Sequence, residues 1–329
     1  MKLPLRLEHL IDLACQPLAQ QPYYAEIQQL AQQLGEFSWN QFLAARTPDD
    51  NACEHEFIVL GNVLRIAAAE RLALAELRVA VAFSFLHDSY YIPRITEWQI
   101  RAAMRAADEE SPGERRTQLQ QVAQDLATAK SQQRQRHMAG GAEQAGRWLS
   151  ALRPAPLSDE EIARCTHLIA HHDDWKLGRP WPTTDDRLAL ACVEGDALWP
   201  LHPLGILADL QRPAAAGASR EVVSVNGLEV RCTGRPLNGL EVRCTERPLN
   251  GLEVRCTGRP AAVAGAIRDV FSPPIWKSQL LESRQTLLDY RANWSPAEPG
   301  FHDSDSIFRT PAGWELYRDW CRYYGLDAT

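Results

Sequence analysis

The adjacent residues His87 and Asp88 carry the two side chains of this sequence that are best suited to chemistry. They directly follow a long apolar run at residues 79–86. Desolvating a carboxylate costs several kcal/mol unless it gains a partner, so a buried helix rarely ends on such a pair without a reason. An imidazole and a carboxylate are normal ligands of Zn²⁺, Mn²⁺ and Fe. The pair therefore indicates a divalent-metal site.

Further histidines and aspartates interrupt apolar helical segments elsewhere in the chain. His55 precedes a predicted helix, and His137 opens a stretch of small residues that allows close backbone packing. His171 and His172 close another predicted helix, and Asp196 lies in an otherwise nearly apolar segment. One turn of helix cannot supply four ligands to an ion, so the ligands must converge from several helices, as in a helical bundle.

The order of these residues, H…HD…H…H…D, resembles that of the HD-domain superfamily of metal-dependent phosphohydrolases. The resemblance covers roughly residues 50–210, and the whole pattern is more specific than any of its pieces. It implies an all-α, HD-domain-like helical bundle, with the HD pair as the catalytic residues and its aspartate, Asp88, bridging two ions. The implied ligands are His55, His87, Asp88 and Asp196 for one ion, and His137 and His171 for a second.

Two ligand assignments have competitors. The sequence does not separate His171 from His172, and we prefer His171 because it would project from the same apolar helix face as Leu168. Asp186 competes with Asp196 for the last position of the pattern. It is better suited to the start of a helix, where an aspartate caps the first turn.

The number and identity of the ions stay open. The spacing between Asp88 and His137 exceeds that of compact two-metal members of the superfamily, so either an inserted helix or a one-metal site would fit. The ligand types are compatible with Mn, Mg, Co, Ni, Fe or Zn. His167 and His202 are interpreted as ordinary surface or core histidines.

The resemblance implies hydrolysis of a phosphomonoester or phosphodiester, with nucleotides among the candidate substrates, by attack of a metal-bound hydroxide. Arg94, Lys176 and Arg179 follow the predicted ligands closely and are candidates for phosphate binding. No GxxxxGK[ST] loop is present, which disfavours an ATPase or kinase of that class. The alternatives are a non-catalytic scaffold or regulatory protein that binds a metal or a nucleotide, and a di-iron oxygenase of the HD type.

Most of the remaining sequence has helical periodicity. Ser158 and Glu161 form the pattern of a capping box at one helix start. The expected helical segments are 4–34 with a break at Pro22, 56–86 as two helices, 97–150 with a break at 108–113, 159–172, 185–199 starting at Thr184 or Asp185, and about 275–292.

A twelve-residue unit, NGLEVRCTGRPL, begins at Asn226 and is repeated in tandem from Asn238 and Asn250. The second copy has Glu246 at the position of Gly234, and the third copy lacks the last residue. Asn-Gly is a strong turn signal, and Leu-Glu-Val-Arg-Cys-Thr alternates as a strand does, so the insert has possible β character. The near-identity of the copies favours a recent duplication in a loop that tolerates insertion. We therefore expect the repeat to be functionally neutral.

These features divide the chain into four parts. An N-terminal helical segment covers 1–50, and the HD-like metal-binding core covers 51–215. The repeat-containing insert covers 216–262, and a helical, aromatic C-terminal segment at 263–329 is expected to pack on the core.

Composition narrows the class of protein. Apolar residues make up 45% and charged residues 23% of the chain, which is an ordinary globular balance. The net charge of −7 argues against a general nucleic-acid-binding surface, which needs a basic face. Charges interrupt the N-terminus where a signal peptide would be apolar, and no apolar run approaches the roughly 20 residues of a membrane span. We therefore expect a cytoplasmic protein that does not enter membranes.

Overall fold

The computed structural model describes residues 2–45, 53–90, 97–177, 179, 185–206, 222–225, 228–231, 280–281, 287 and 307–325. The fold is all-α, as predicted, and short 3-10 turns connect several of the helices. The helices that lie wholly within the described residues are α1 Leu5–Cys15, α2 Tyr24–Gln41, α3 His55–Ala69, α4 Leu74–Leu86, α5 Glu97–Glu109, α6 Glu114–Ala151, α7 Asp159–His171, α8 Arg187–Ala197 and α9 Pro311–Tyr323.

The predicted helices up to residue 199 are confirmed in type. The break expected at Pro22 lies between α1 and α2, and the break expected at residues 108–113 separates α5 from α6. The helical segment predicted at about 275–292 lies almost entirely outside the described residues.

Helices α3 and α4 form the centre of the bundle. α4 contacts α2, α3, α7 and α8, while α3 contacts α1, α8 and α9. Phe83, Phe85 and Leu86 of α4 are fully buried, and burial of each such side chain contributes about 1.5–3 kcal/mol. A helix that is apolar on all sides must be surrounded by other elements. The end of α4, where His87 and Asp88 follow, is therefore held inside the protein.

The starts of α7 and α8 are fixed by side-chain caps. Ser158 accepts a hydrogen bond from the Glu161 amide at 3.3 Å, and the Glu161 carboxylate accepts one from the Ser158 amide at 2.7 Å, which confirms the predicted capping box. The α8 cap is Asp186, which accepts a hydrogen bond from the Ala189 amide at 3.1 Å. The expected start at Thr184 or Asp185 is thus wrong by one or two residues, while the interpretation of Asp186 as a helix-start residue is confirmed.

Gly195 allows α8 to lie directly against α3. A Cβ atom at this position would lie 2.9 Å from the backbone nitrogen of Val63, closer than real Cβ contacts. Asn62 strengthens the contact by donating a hydrogen bond to the Gly195 carbonyl at 3.1 Å. This close approach brings the next residue, Asp196, towards the first turn of α3.

Part of the insert is visible as a strand pair. β1 (Val222–Val225) pairs antiparallel with β2 (Leu228–Arg231), and β2 coincides with the strand predicted in the first repeat unit. The second and third units lie outside the described residues. Among the described helices, none has both the length and the apolar character needed to cross a bilayer.

Candidate metal centre

A first group of side chains meets where α3, α4 and α8 converge. His55 is the first residue of α3, His87 directly follows α4, and Asp196 lies near the end of α8. The Nε2 atoms of His55 and His87 are 3.1 Å apart. Asp196 Oδ1 lies 3.5 Å from the first of these nitrogens and 3.4 Å from the second. Three residues that are distant in sequence thus present donor atoms to one point.

A second group lies beside the first and is formed by α6, α7 and the end of α4. Asp88, His137 and His172 each offer a ligand atom, and these atoms lie within 4.8 Å of one another. The shortest of these contacts joins His137 Nε2 to Asp88 Oδ1 at 2.9 Å. All three residues are buried.

Asp88 belongs to both groups. Its Oδ1 atom lies 2.9 Å from His137 Nε2 and 4.0 Å from His87 Nε2, while its Oδ2 atom lies 3.5 Å from His55 Nε2. The carboxylate therefore contacts imidazoles of both groups, as a bridging ligand would.

Backbone carbonyls fix the orientation of three of the histidines. The Nδ1 atoms of His87, His137 and His172 each face a carbonyl oxygen within hydrogen-bond distance. These oxygens belong to Ser84, Tyr90 and Ile169, at 3.2, 2.7 and 2.7 Å respectively. Because Nδ1 must carry the proton to donate it there, the neutral rings present the lone pair of Nε2 to the cluster. Metal-binding histidines are usually held in this way.

Burial and the neighbouring carboxylates act in opposite directions on the histidines. Burial alone would lower the pKa of His87, but Asp88, Asp196 and Glu56 together outweigh it and raise the pKa to about 9. Burial dominates at His172 and lowers its pKa to about 4. Without a metal, a proton on His87 therefore balances part of the buried negative charge.

The spacing of the donor atoms fits a metal ion. Two ligand atoms that lie about 2.1 Å from one ion, at right or tetrahedral angles, are about 3.0–3.4 Å apart. The three separations within the first group are 3.1, 3.4 and 3.5 Å. Imidazole nitrogens and carboxylate oxygens are also the donor set expected for Mn, Fe or Zn.

Two cations border the centre. Lys176 Nζ lies 2.6 Å from Asp173 Oδ1 and 3.9 Å from Asp196 Oδ2, and Arg134 pairs with the same Asp173. Burial would raise the pKa of Asp196, but the hydrogen bond from His87 and the nearby positive charges outweigh it and hold that pKa well below its usual range. Two positive charges therefore lie at the border of the centre although the chain as a whole is acidic.

The structure brings five of the six predicted metal ligands together: His55, His87, Asp88, His137 and Asp196. The preference for His171 over His172 is wrong in position. The side chain of His171 is 38% exposed and its Nδ1 atom bonds Asp174 at 2.6 Å, whereas His172 is in the second group.

The helical phase explains this correction. His172 follows Leu168 by four residues and Ile169 by three, so it continues the buried stripe of α7. His171 follows His167 by four residues, and the two rings lie 4.7 Å apart on the more exposed side. Counting from Ile169 as well as Leu168 would have identified His172 from the sequence.

The predicted phosphate-binding residues are placed differently. Lys176 borders the centre, as described above, while Arg179 pairs with Asp174 at 3.0 Å and is half exposed. Arg94 lies outside the described residues. Arg134, three residues before His137 on α6, was not among the predicted residues, and that helical spacing was the available signal.

The competing residues have other roles. Asp186 caps α8 and pairs with Arg164, and it is in neither ligand group of the described residues. His202 is partly buried and stacks on Trp199, with ring centroids 6.0 Å apart, and desolvation lowers its pKa to about 3. His167 lies on the more exposed side of α7 and, like His202, is outside both ligand groups.

No protein-family profile, curated protein or solved structure matches this chain.

Proposed function

We propose that this protein is a metal-dependent phosphohydrolase that cleaves a phosphomonoester or phosphodiester at a two-metal centre. The observation that carries the proposal is the position of Asp88, whose carboxylate lies between the two groups and contacts histidines of both. A carboxylate shared by two ions a few Å apart is typical of enzymes that hydrolyse phosphate esters.

The order of the ligands supports the same assignment. With His172 in place of His171, the gathered residues keep the order H…HD…H…H…D of the HD-domain superfamily. In this proposal His55, His87 and Asp196 hold one ion, His137 and His172 hold the other, and Asp88 bridges them. All six residues are buried, so an ion held there would be shielded from bulk water.

The chain's own residues supply orientation and charge. When bound, the ions lower the pKa of a coordinated water towards neutrality and polarise the phosphoryl oxygens. The backbone carbonyls behind His87, His137 and His172 keep their Nε2 atoms aimed at the ions. Lys176 and Arg134 both pair with Asp173, so one positive charge is left in excess. In this proposal the two cations would bind the outer phosphate oxygens.

A di-iron oxygenase is the second candidate. Four histidines and two aspartates with a shared carboxylate also suit iron, since ligand type alone does not separate iron from manganese. Such an enzyme would retain iron on purification and consume oxygen, and neither property is expected of the hydrolase.

The test is hydrolysis of p-nitrophenyl phosphate and bis(p-nitrophenyl) phosphate in the presence of Mn²⁺, Co²⁺, Mg²⁺ or Ni²⁺. We expect turnover of at least one ester with at least one metal, and loss of turnover in Asp88→Asn. Asp174→Asn is the matched control, because Asp174 is also buried but bonds His171 and Arg179. A folded protein that binds metal but cleaves neither ester with any of these ions would contradict the hydrolase and favour a non-catalytic protein. Oxygen consumption by the iron-loaded protein would favour the oxygenase.

A further inference from the structure

The C-terminal helix α9 begins on a buried carboxylate of α8, the helix that carries Asp196. Glu194 is fully buried and accepts hydrogen bonds from the amides of Arg309 and Thr310, at 2.6 and 2.9 Å. The hydroxyl of Thr310, which also caps α9, donates to Glu194 Oε2 at 2.5 Å. Glu194 precedes Asp196 by two residues, so the start of α9 is fixed to the segment that carries one proposed ligand.

The other end of α9 reaches the turn that follows α8. The Trp320 ring contacts the His202 ring edge-on at 5.3 Å, and Tyr324 donates a hydrogen bond to the Leu201 carbonyl at 2.9 Å. His202 in turn stacks on Trp199.

Trp199 connects this end of α9 to a second ligand. Its ring packs edge-on against the His55 imidazole, with the centroids 4.9 Å apart. Ring contacts therefore run without interruption from Trp320 of α9 through His202 and Trp199 to His55.

The two ligand groups differ in this support. His55 and Asp196, which are both in the first group, adjoin residues that α9 contacts. His137 and His172 are positioned by α6 and α7 and by the carbonyls of Tyr90 and Ile169. α9 itself packs mainly on α3 and α8.

We propose that α9 holds the ligands of the first group in position and does not do so for the second group. Its positioning residues are Thr310, Trp320 and Tyr324. The inference rests on the proposed metal centre. It requires that loosening α9 weakens binding of one ion and leaves the other ion unchanged.

The experiment measures Mn²⁺ binding by calorimetry in two backgrounds that each retain one complete group. His172→Gln leaves the first group, and His55→Gln leaves the second. Adding Thr310→Val removes a capping hydroxyl, and we expect it to raise the Mn²⁺ dissociation constant about fivefold in the His172→Gln background. In the His55→Gln background the constant should not change. Tyr324→Phe, a milder variant that removes only one hydrogen bond, should act in the same direction.

Two controls distinguish positioning of the first ligand group by α9 from a general loss of stability. Thr310→Ser restores the hydroxyl and should restore Mn²⁺ affinity. Ser158→Ala removes an equivalent cap from α7 and should leave the affinity of the first group unchanged. Equal weakening in both backgrounds, or none in either, would overturn the inference and leave the metal centre standing. Failure of the unmodified protein to bind Mn²⁺ would overturn both.

Discussion

Two sets of the same three residue types surround the C-terminal end of α7. The inner set is His172, Asp173 and Arg134, and the outer set is His171, Asp174 and Arg179. In each set the arginine pairs with the aspartate. The inner histidine is 1% exposed and faces the second ligand group, whereas the outer histidine is 38% exposed and bonds its own aspartate.

The difference shows that position on the helix, rather than residue type, determines which of two neighbouring histidines joins the buried ligand group. Successive residues of an α-helix are rotated by about 100°. That rotation places His172 over the buried stripe of α7 and turns His171 towards solvent. Burial then keeps the inner imidazole neutral, since it lowers the pKa of His172 to about 4, and a neutral imidazole is the form that binds metal.

The largest effect is expected from Asp88→Asn, compared with Asp174→Asn in the outer set. Asp88 serves both ligand groups, so its loss should weaken Mn²⁺ binding more than about 100-fold, beyond the range usual for residues that only support a ligand. Asp174→Asn should change Mn²⁺ affinity less than about threefold, because its partners are partly exposed. Calorimetric titration measures both values, and similar losses in the two variants would remove the distinction between the sets.

The next largest effect on metal binding is expected from substituting one of the two neighbouring histidines, His172 rather than His171. His172→Gln is expected to lower the affinity for the second ion by about 100-fold, since it removes a direct ligand. His171→Gln, which differs by one position, should keep the binding of both ions. Metal content after dialysis distinguishes the two variants. A loss of metal in His171→Gln alone would show that His171, and not His172, is the ligand.

The charge state of His87 predicts opposite effects of pH with and without metal. Its pKa in the folded, metal-free protein is about 9, against an ordinary value near 6.5. The protonated ring therefore stabilises the metal-free protein below about pH 6.5, and this stabilisation is lost as the pH rises through 9. Metal binding displaces that proton, so Mn²⁺ affinity should rise about tenfold per pH unit over the same interval. Thermal unfolding with and without Mn²⁺ tests the prediction, and parallel trends would contradict it.

The two arginines allow a smaller, kinetic comparison. Arg134→Gln removes a cation at the border of the centre and should raise the KM for a phosphate ester about tenfold, the effect of losing one charged hydrogen bond. Arg179→Gln should leave KM unchanged, since Arg179 pairs with Asp174 of the outer set. Steady-state kinetics on both variants measures the difference, and equal KM values would exclude Arg134 from substrate binding.

The smallest effect is expected outside both sets, from deletion of residues 226–260. The repeat lies in an insert, and lengthening or shortening such a loop changes stability little. Metal content and ester hydrolysis should match those of the full chain. Loss of both would show that the insert is part of the structure of the centre.

The sequence was sufficient to predict the helices and most of the residues that meet at the centre. Apolar periodicity located α3 and α4, and the polar pair after α4 marked the site because a buried carboxylate requires a partner. The capping box at Ser158 was readable because it depends only on residues three apart.

The remaining features depend on contacts between distant segments. Arg134 reaches Asp173 only because α6 packs on α7, and Glu194 meets Thr310 across more than one hundred residues of chain. The contact of Glu194 leaves no local pattern in the sequence, and the only local signal for Arg134 is its three-residue spacing from His137. The choice between His171 and His172 was in principle readable, but one apolar neighbour did not define the helix face and two were needed.

The most direct test is the number of Mn²⁺ ions bound per chain after equilibrium dialysis at neutral pH. We expect two ions for the unmodified protein and for His171→Gln, one for His172→Gln, and none for Asp88→Asn. An unmodified, folded protein that binds no ion, or an Asp88→Asn variant that binds as many ions as the unmodified chain, would contradict the metal centre.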